Sequence, residues 1–282
     1  MATTLPRRGD GSRPPTGLPL PPGRMALVRD RRPLKRWRYV GVYGARVMLC
    51  AGSVRIAGIP QAFWAVWDRE AAVLRERTTF GRGGVLLPDG AARVGAPGVQ
   101  LDLVLEPLGE PVEVVSPHGR SFIWTRKTPV RAHGAVTLEG RRIAVDDAGL
   151  VDDSAGYHAR VTAWDWSAGV GRSSAGEPVA WNLVAGVHDA PRDSERTVWV
   201  AGRPREAGVV RFAAGLDAIA FSAGDGGGEL RFAAEAERAR TDDLRLFASE
   251  YRQPFGTFTG TLPGGIELAE AFGVMERHAV HW

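Results

Sequence analysis

A single cysteine, Cys50, stands in a chain of 282 residues, so no disulfide can form within it and the framework of small secreted disulfide domains is excluded. No apolar run approaches the roughly 18 residues that a membrane-spanning helix needs. Lysine is nearly missing: Lys35 and Lys127 are the only two, and every other cation among the 36 lysines and arginines is an arginine. Arginine and alanine rich together have the look of codon composition, and the net charge is only +4, so nucleic acid is not an expected partner. The one basic run that holds an aromatic, "RRPLKRWR" from Arg31 to Arg38, reads equally as the solvated start of a strand. The opening "MATTLPRRGDGSRPPTGLPLPPGR" lacks the apolar stretch of a secretory signal, and its Arg7-Arg8 pair is therefore not an export motif. The cytoplasm is the expected location.

What is present is a succession of short apolar or alternating runs punctuated by glycine and proline. "RYVGVYG", "RVMLCAGSVRIAG" and "AFWAVWDREAAVLRERTTF" open the series, the last reading as two strands joined at Asp68-Arg69-Glu70. "VQLDLVLEP" alternates cleanly, with Val99, Leu101, Leu103 and Leu105 on one face. Such runs recur about every 8 to 12 residues, the spacing of sandwiches and barrels. The expected fold is all-β with few helices, built as two sandwich or barrel halves packed together. A proline- and glycine-rich arm, disordered or extended, is expected over residues 1–24. One β-domain follows over 25–150 and a second over 151–282, divided within the polar stretch "VDDAGLVDDSAG" (Val145 to Gly156), which reads as an interruption of the strands. Residues 229–252 are ambiguous. Their alanine, glutamate and arginine content suits a helix, whereas Leu230, Phe232, Leu244 and Leu246, spaced two apart in pairs around Thr241-Asp242-Asp243, suit a hairpin turning there.

The stretch that draws attention is "GYHARVTAWDWSAGVG" (Gly156 to Gly171). Strand geometry puts His158, Arg160, Thr162, Trp164 and Trp166 on one face and Val161, Ala163 and Asp165 on the other. A dry core selects leucine, isoleucine and valine, because a buried indole N–H or guanidinium needs a partner and costs about 1 to 3 kcal/mol without one. Large amphipathic groups in a row suit the wall of an apolar cavity with a few directed polar groups, although tryptophans filling a barrel end, with Arg160 reaching solvent, would read the same. In "FGVMERHAVHW", Glu276, His278 and Trp282 share a face. If that face meets the tryptophans in one lumen, Glu276 and His278 form an acid–base pair whose carboxyl is kept protonated by burial; the plainer alternative is an ion pair of a carboxylate with Arg277 or Arg160. Asn182 of "VAWNL", Glu195 of "DSERTVWV" and Gln253 of "YRQPFGTFTGTL" are further candidates for the same wall, the last with an alternating Thr257, Thr259, Thr261 ladder. Gly256 and Gly260 in that run predict close backbone approach or a bend.

Other chemistries find less support. His278 and His281 have the spacing of a helix face but point to opposite sides of a strand, so no metal site is expected. Gly-x-Ser-x-Gly does not occur, Cys50 sits in the apolar "VMLCAG", and "GDGGG" is not followed by Lys-Ser/Thr, which leaves no triad, reactive thiol or phosphate cradle. No cofactor is implied.

"RRPLKRWRYVGVYG", "GYHARVTAWDWSAGVG", "VAWNLV", "SERTVWVAG", "YRQPFGTFTGTL" and "GVMERHAVHW", in this order, resemble the bacterial family of domain of unknown function 2804, from about Pro19 to Trp282. More distantly, two β halves with a Trp-x-Trp strand are similar to the carotenoid hydratase and tocopherol cyclase group. That second resemblance implies lipocalin-like halves and an aromatic-walled pocket for an isoprenoid, polyketide or other lipophilic molecule, with Glu276 or Asp165 supplying a proton and indole faces stabilising positive charge. Asp165 is the weaker donor because it faces away from its neighbouring tryptophans. Three functions follow: a cofactor-independent cyclase, hydratase or isomerase; a non-catalytic lipocalin-like carrier of a hydrophobic ligand; and a carbohydrate-handling protein, for which no carboxylate pair on one face can be named.

Overall fold

The computed structural model describes residues 7–9 and 21–282, apart from 82, 119, 245 and 246. Among them there is no α-helix and a single short 3-10 turn, Ala223–Asp225. The fold is all-β, two large curled antiparallel sheets packed face to face.

In spatial order the first sheet runs Val73–Phe80, Ile59–Asp68, Val47–Ile56, Lys35–Tyr43, Arg141–Gly156, Ser121–Leu138, Val99–Pro107, Ala91–Ala96 and Val85–Leu86. Val112–His118 also pairs with Ser121–Leu138 and carries the short Arg7–Gly9 strand on its outer edge. The second sheet runs Arg203–Glu206, Thr197–Val200, Pro178–Ala185, Val161–Ser173, Ile266–His281, Phe247–Leu262, Glu229–Leu244, Ala218–Phe221 and Val210–Phe212.

The alternation seen in the sequence decides which face each strand buries. Val99–Pro107 is covered on one side only, its odd positions buried and its even positions exposed from Val99 to Glu106. Lys35–Tyr43 is covered on both sides: Val40 and Val42 join the core of the first sheet, while Tyr39 and Tyr43 face the second sheet. Trp181, Leu183, Phe258 and Met275 fill the corresponding core of the second sheet. Between the sheets lies a third cluster in which Tyr39, Tyr43 and Cys50 of one meet Trp166, Trp199, Phe255 and Val274 of the other. The walls of the functional site belong to this middle layer.

The polar stretch 145–156 does not interrupt the strands. It is the inner part of the Arg141–Gly156 strand: Asp146 is exposed, whereas Asp152 and Asp153 are buried, Asp152 lying 2.6 Å from Lys127 Nζ and Asp153 accepting from Arg38 at 2.7 Å. The chain passes from the first large sheet to the second at residues 157–160. Glu229–Leu244 and Phe247–Leu262 are paired strands, which resolves the helix-or-hairpin ambiguity, but Thr241, Asp242 and Asp243 pair with Glu250, Ser249 and Ala248 and are not the turn. Leu246 lies outside the described residues. Gly260, at φ 108°, sits where the register of Phe247–Leu262 shifts, a backbone setting that side chains rarely adopt.

Gly169 faces the core of the second sheet, where a Cβ would collide with the indole of Trp181, a side chain fully buried and hydrogen-bonded to Ser167 at 3.0 Å. Gly169→Ala is therefore expected to lower the urea midpoint by an amount equivalent to about 1–3 kcal/mol with unchanged slope. An unshifted midpoint would show that the indole relocates freely.

Candidate functional site

Antiparallel pairing of Val161–Ser173 with Ile266–His281 sets Trp164 opposite His278 and Trp166 opposite Glu276. On the far side of Ile266–His281, Tyr251 lies opposite His278, and beyond it Arg240 lies opposite Tyr251 and Arg238 opposite Gln253. All of these point toward the first sheet, whose Trp37, Tyr39, Gln61, Phe63 and Thr78 face them across a cavity of about 180 Å³.

Glu276 is buried in the wall of this cavity and accepts three hydrogen bonds there. Trp164 Nε1 donates to Oε1 at 2.8 Å, Gln253 Nε2 donates to Oε2 at 2.9 Å, and the Tyr251 hydroxyl donates to Oε2 at 3.1 Å. Burial raises the carboxyl to about 7, against the opposing pull of the Trp164 and Tyr251 hydrogen bonds and of the Arg238 charge. The acid is thus half protonated near neutrality. Below Gln253 the Cys50 thiol donates to Oε1 at 3.5 Å; burial pushes that thiol up to about 12, so it is a structural group.

His278 stacks at 4.5 Å on Trp164 and 5.1 Å from Tyr251, and its Nε2 is 2.8 Å from the Ser249 hydroxyl. Burial, then the nearby Arg238 charge, lowers it to about 4, which leaves the ring uncharged at physiological pH. Arg238 is itself buried, its guanidinium over Phe63 at 4.3 Å and Tyr251 at 4.7 Å, with a hydrogen bond to Thr78 at 2.9 Å.

The other end of the cavity is polar. Lys127, raised above its ordinary value because Asp152 and Glu195 outweigh burial, lies 2.6 Å from Asp152 and 3.4 Å from Glu195, and Thr125, His158 and His188 line the space beside it. Burial drives His158 far down and His188 to about 3. Behind His158 the second lysine, Lys35, is buried with Nζ 4.1 Å from the Trp282 ring centre and is lowered to about 7 by burial and then by Arg32.

The structure brings Trp164, Trp166, Glu276, His278, His158 and Glu195 to one cavity. Asn182 and Gln253 stand one step behind it: Asn182 accepts from Trp166 Nε1 at 2.7 Å and donates to the Glu195 carbonyl at 2.9 Å. Arg160 is not there. The strand begins at Val161, so strand alternation does not extend back to Arg160, which is exposed, its Nε donating to His281 at 2.8 Å. Thr162 bonds to the Ala159 carbonyl, Thr259 is exposed, and Asp165 pairs with Arg277 on the outer face at 2.7 Å. Sequence reasoning missed Tyr39, Phe63, Arg238, Tyr251, Lys127 and His188. Tyr39 was within reach, since alternation from Lys35 already places Trp37 and Tyr39 on one face. Among the described residues no group of three or more His, Cys, Asp or Glu is disposed to hold a metal.

Two curled β-sheets packed together enclose an aromatic-walled cavity lined by three buried acids, Glu276, Asp152 and Glu195. The sequence profile described as Domain of unknown function (DUF2804) matches residues 82–282, and the chain belongs to that family; the match begins well after Pro19, where the resemblance was expected to start. No curated protein matches by sequence. Among solved structures, a protein described as AttH (NE1406) from Nitrosomonas europaea superposes with a TM-score of 0.58 at 14% identity, over 93% of this chain and 98% of that one. Kievitone hydratase from Nectria haematococca superposes at 0.53 with 10% identity, over 88% of each chain. These likenesses concern the fold.

The raised carboxyl has a measurable consequence for stability. Between 4.5, its ordinary value, and about 7, the folded chain holds a proton that the unfolded chain has released, so this group's contribution falls as pH rises and is constant above 7. In urea melts across pH 5 to 8, Glu276→Gln is expected to gain on the parent as pH rises, by up to about 3 kcal/mol, and to level off above 7. A stability difference independent of pH would place the Glu276 carboxyl in the ordinary range.

Proposed function

We propose that the protein is an enzyme that protonates a lipophilic small molecule in the intersheet cavity, catalysing a cyclisation, hydration or isomerisation without a cofactor, with Glu276 as the acid. The observation that carries this reading is a carboxyl half protonated near pH 7 in an aromatic wall. Transfer of its proton to a double bond or a leaving oxygen leaves Glu276 as a carboxylate, which Trp164, Tyr251 and Gln253 already hydrogen-bond, so the charge appears where donors are in place. The cation formed on the substrate faces the indoles of Trp164 and Trp166, each worth roughly 0.5 to 2 kcal/mol by cation–π attraction. The cation closes a ring, adds water or goes on directly to lose a neighbouring proton; in each case the proton finally lost by the product is taken up, directly or through water, by the Glu276 carboxylate, which returns it to its acid form. His278 is too weak a base to hold charge at neutral pH and serves to orient water or substrate beside the acid. The superposition with a hydratase supports the reading at the level of fold only. A carrier of the same ligand is the second reading, favoured by the same aromatic walls and requiring nothing of Glu276.

Mass spectrometry of an organic extract of gently purified protein is expected to recover a lipophilic compound that Trp164→Ala loses. With that compound or its precursor as substrate, Glu276→Gln should reduce turnover at least a hundred-fold, the scale of general acid catalysis, while affinity changes little. Full turnover in Glu276→Gln removes the assigned acid; binding with no turnover in the parent selects the carrier.

A further inference from the structure

Beyond Trp166 and Tyr39, whose rings meet edge to face at 5.4 Å, the cavity changes character. Four of its lining side chains, Thr125, His158, His188 and Glu195, are each at least nine-tenths buried and each keep a polar atom with no hydrogen-bond partner in the protein: Thr125 Oγ1, His158 Nδ1, both ring nitrogens of His188, and Glu195 Oε2. They form one group. The His158 and His188 rings are 6.4 Å apart, Thr125 shares its strand face with Lys127, and Lys127 reaches Glu195. Buried polar atoms are nearly always paired, because each left unpaired costs free energy. Several unpaired atoms converging on one cavity end describe the complement of a ligand.

The charge of this chamber narrows that ligand. One ammonium, Lys127, stands between two carboxyls, Asp152 and Glu195, and even with Lys35 behind His158 counted the two cations only balance the two acids, so the fixed charge is not positive. An uncharged imidazole offers one donor and one acceptor, a threonine hydroxyl offers both, and Glu195 Oε2 offers an acceptor. An incoming carboxylate or phosphate would meet two acids and find too few donors, and a hydrocarbon would leave every atom unpaired. A hydroxyl group donates to Glu195 and accepts from His188 or Thr125.

We propose that this chamber binds the uncharged hydroxyl-bearing end of the ligand, whose apolar body lies along Tyr39, Trp166 and Trp164 toward Glu276. The proposal rests on the reading of the cavity as a lipophilic-ligand site and names the substrate class: bulky hydrophobic alcohols or phenols, not fatty acids or other anions.

Three probes that share one ring system test it by isothermal titration calorimetry at pH 7: 2-naphthol, which is uncharged, naphthalene, and the anion 2-naphthoate. The expected order has 2-naphthol about ten-fold or more tighter than both others. Thr125→Val, which keeps the shape, and Thr125→Val with His188→Phe should shrink that advantage stepwise while leaving naphthalene unchanged, and Trp164→Ala should weaken all three. Equal binding of 2-naphthol and naphthalene, a preference for 2-naphthoate, or an advantage that survives both variants overturns the chamber and leaves the lipophilic cavity standing. Failure of all three probes to bind overturns both. The comparison among probes on the parent protein decides the matter even if the double variant does not fold.

Discussion

Pairing of Val161–Ser173 with Ile266–His281 is the constraint on which the cavity depends. Side chains on a strand alternate, so a slip of one residue would turn Trp164, Trp166, Glu276 and His278 away from the first sheet and bring Asp165 and Arg277 inward. Two contacts hold the register: Trp164 bonds to Glu276 across the pair, and Asp165 closes on Arg277 outside the cavity. The Asp165–Arg277 ion pair is half exposed and worth little as stability, yet a slip would force both charges toward the middle layer, where burial is costly.

That middle layer is polar to an unusual degree for a sheet-to-sheet contact, and its two ends solve the cost of burial differently. Near Trp164 the solution is neutrality: Glu276 holds its proton to about 7 and His278 sheds its own above about 4. At the Lys127 end the solution is compensation, an ammonium set between two acids. Both of the chain's lysines are buried on the same face of the first sheet, Lys35 opposite Gly156 and Lys127 opposite Asp152. A compact ammonium on a slender stem fits between closely spaced strands where a planar guanidinium with five donors would leave several unsatisfied. The scarcity of lysine thus has a structural side that composition alone did not disclose.

Alternation made much of this legible. It assigned Trp164, Trp166, Glu276 and His278 to the correct faces of their strands, and their meeting then required only that the two strands be neighbours. What periodicity could not carry was partnership at long range. Asp152 and Asp153 looked like linker residues because nothing local announces that Lys127, Arg38 and Arg126 cover them. Residues 229–244 have helical composition, but their exposed charges face solvent from a strand whose register is set by Phe247–Leu262, a tertiary override of propensity. Arg160 was extrapolated one residue past the end of its strand. Tyr251 and Arg238 were missed because their importance lies in partners far away in sequence, Glu276 for the phenol and Phe63 and Thr78 for the guanidinium.

The hydrogen bonds around Glu276 also decide where its proton can go. An indole N–H and an amide NH₂ donate and cannot accept, so Trp164 and Gln253, held in its orientation by the Cys50 thiol on its other end, serve the carboxylate and offer the acid nothing. Tyr251 alone among the three can reverse, since a phenol oxygen accepts as readily as it donates. When Glu276 is protonated on Oε2, its hydroxyl points to Tyr251; when it ionises, Tyr251 turns back and donates. Tyr251 is held far above its ordinary value by burial and by the Glu276 charge, so it relays this change without ionising. With its ring against His278 and beneath Arg238, the phenol lines the cavity beside the acid, and the direction of its single hydroxyl hydrogen follows the protonation of Glu276.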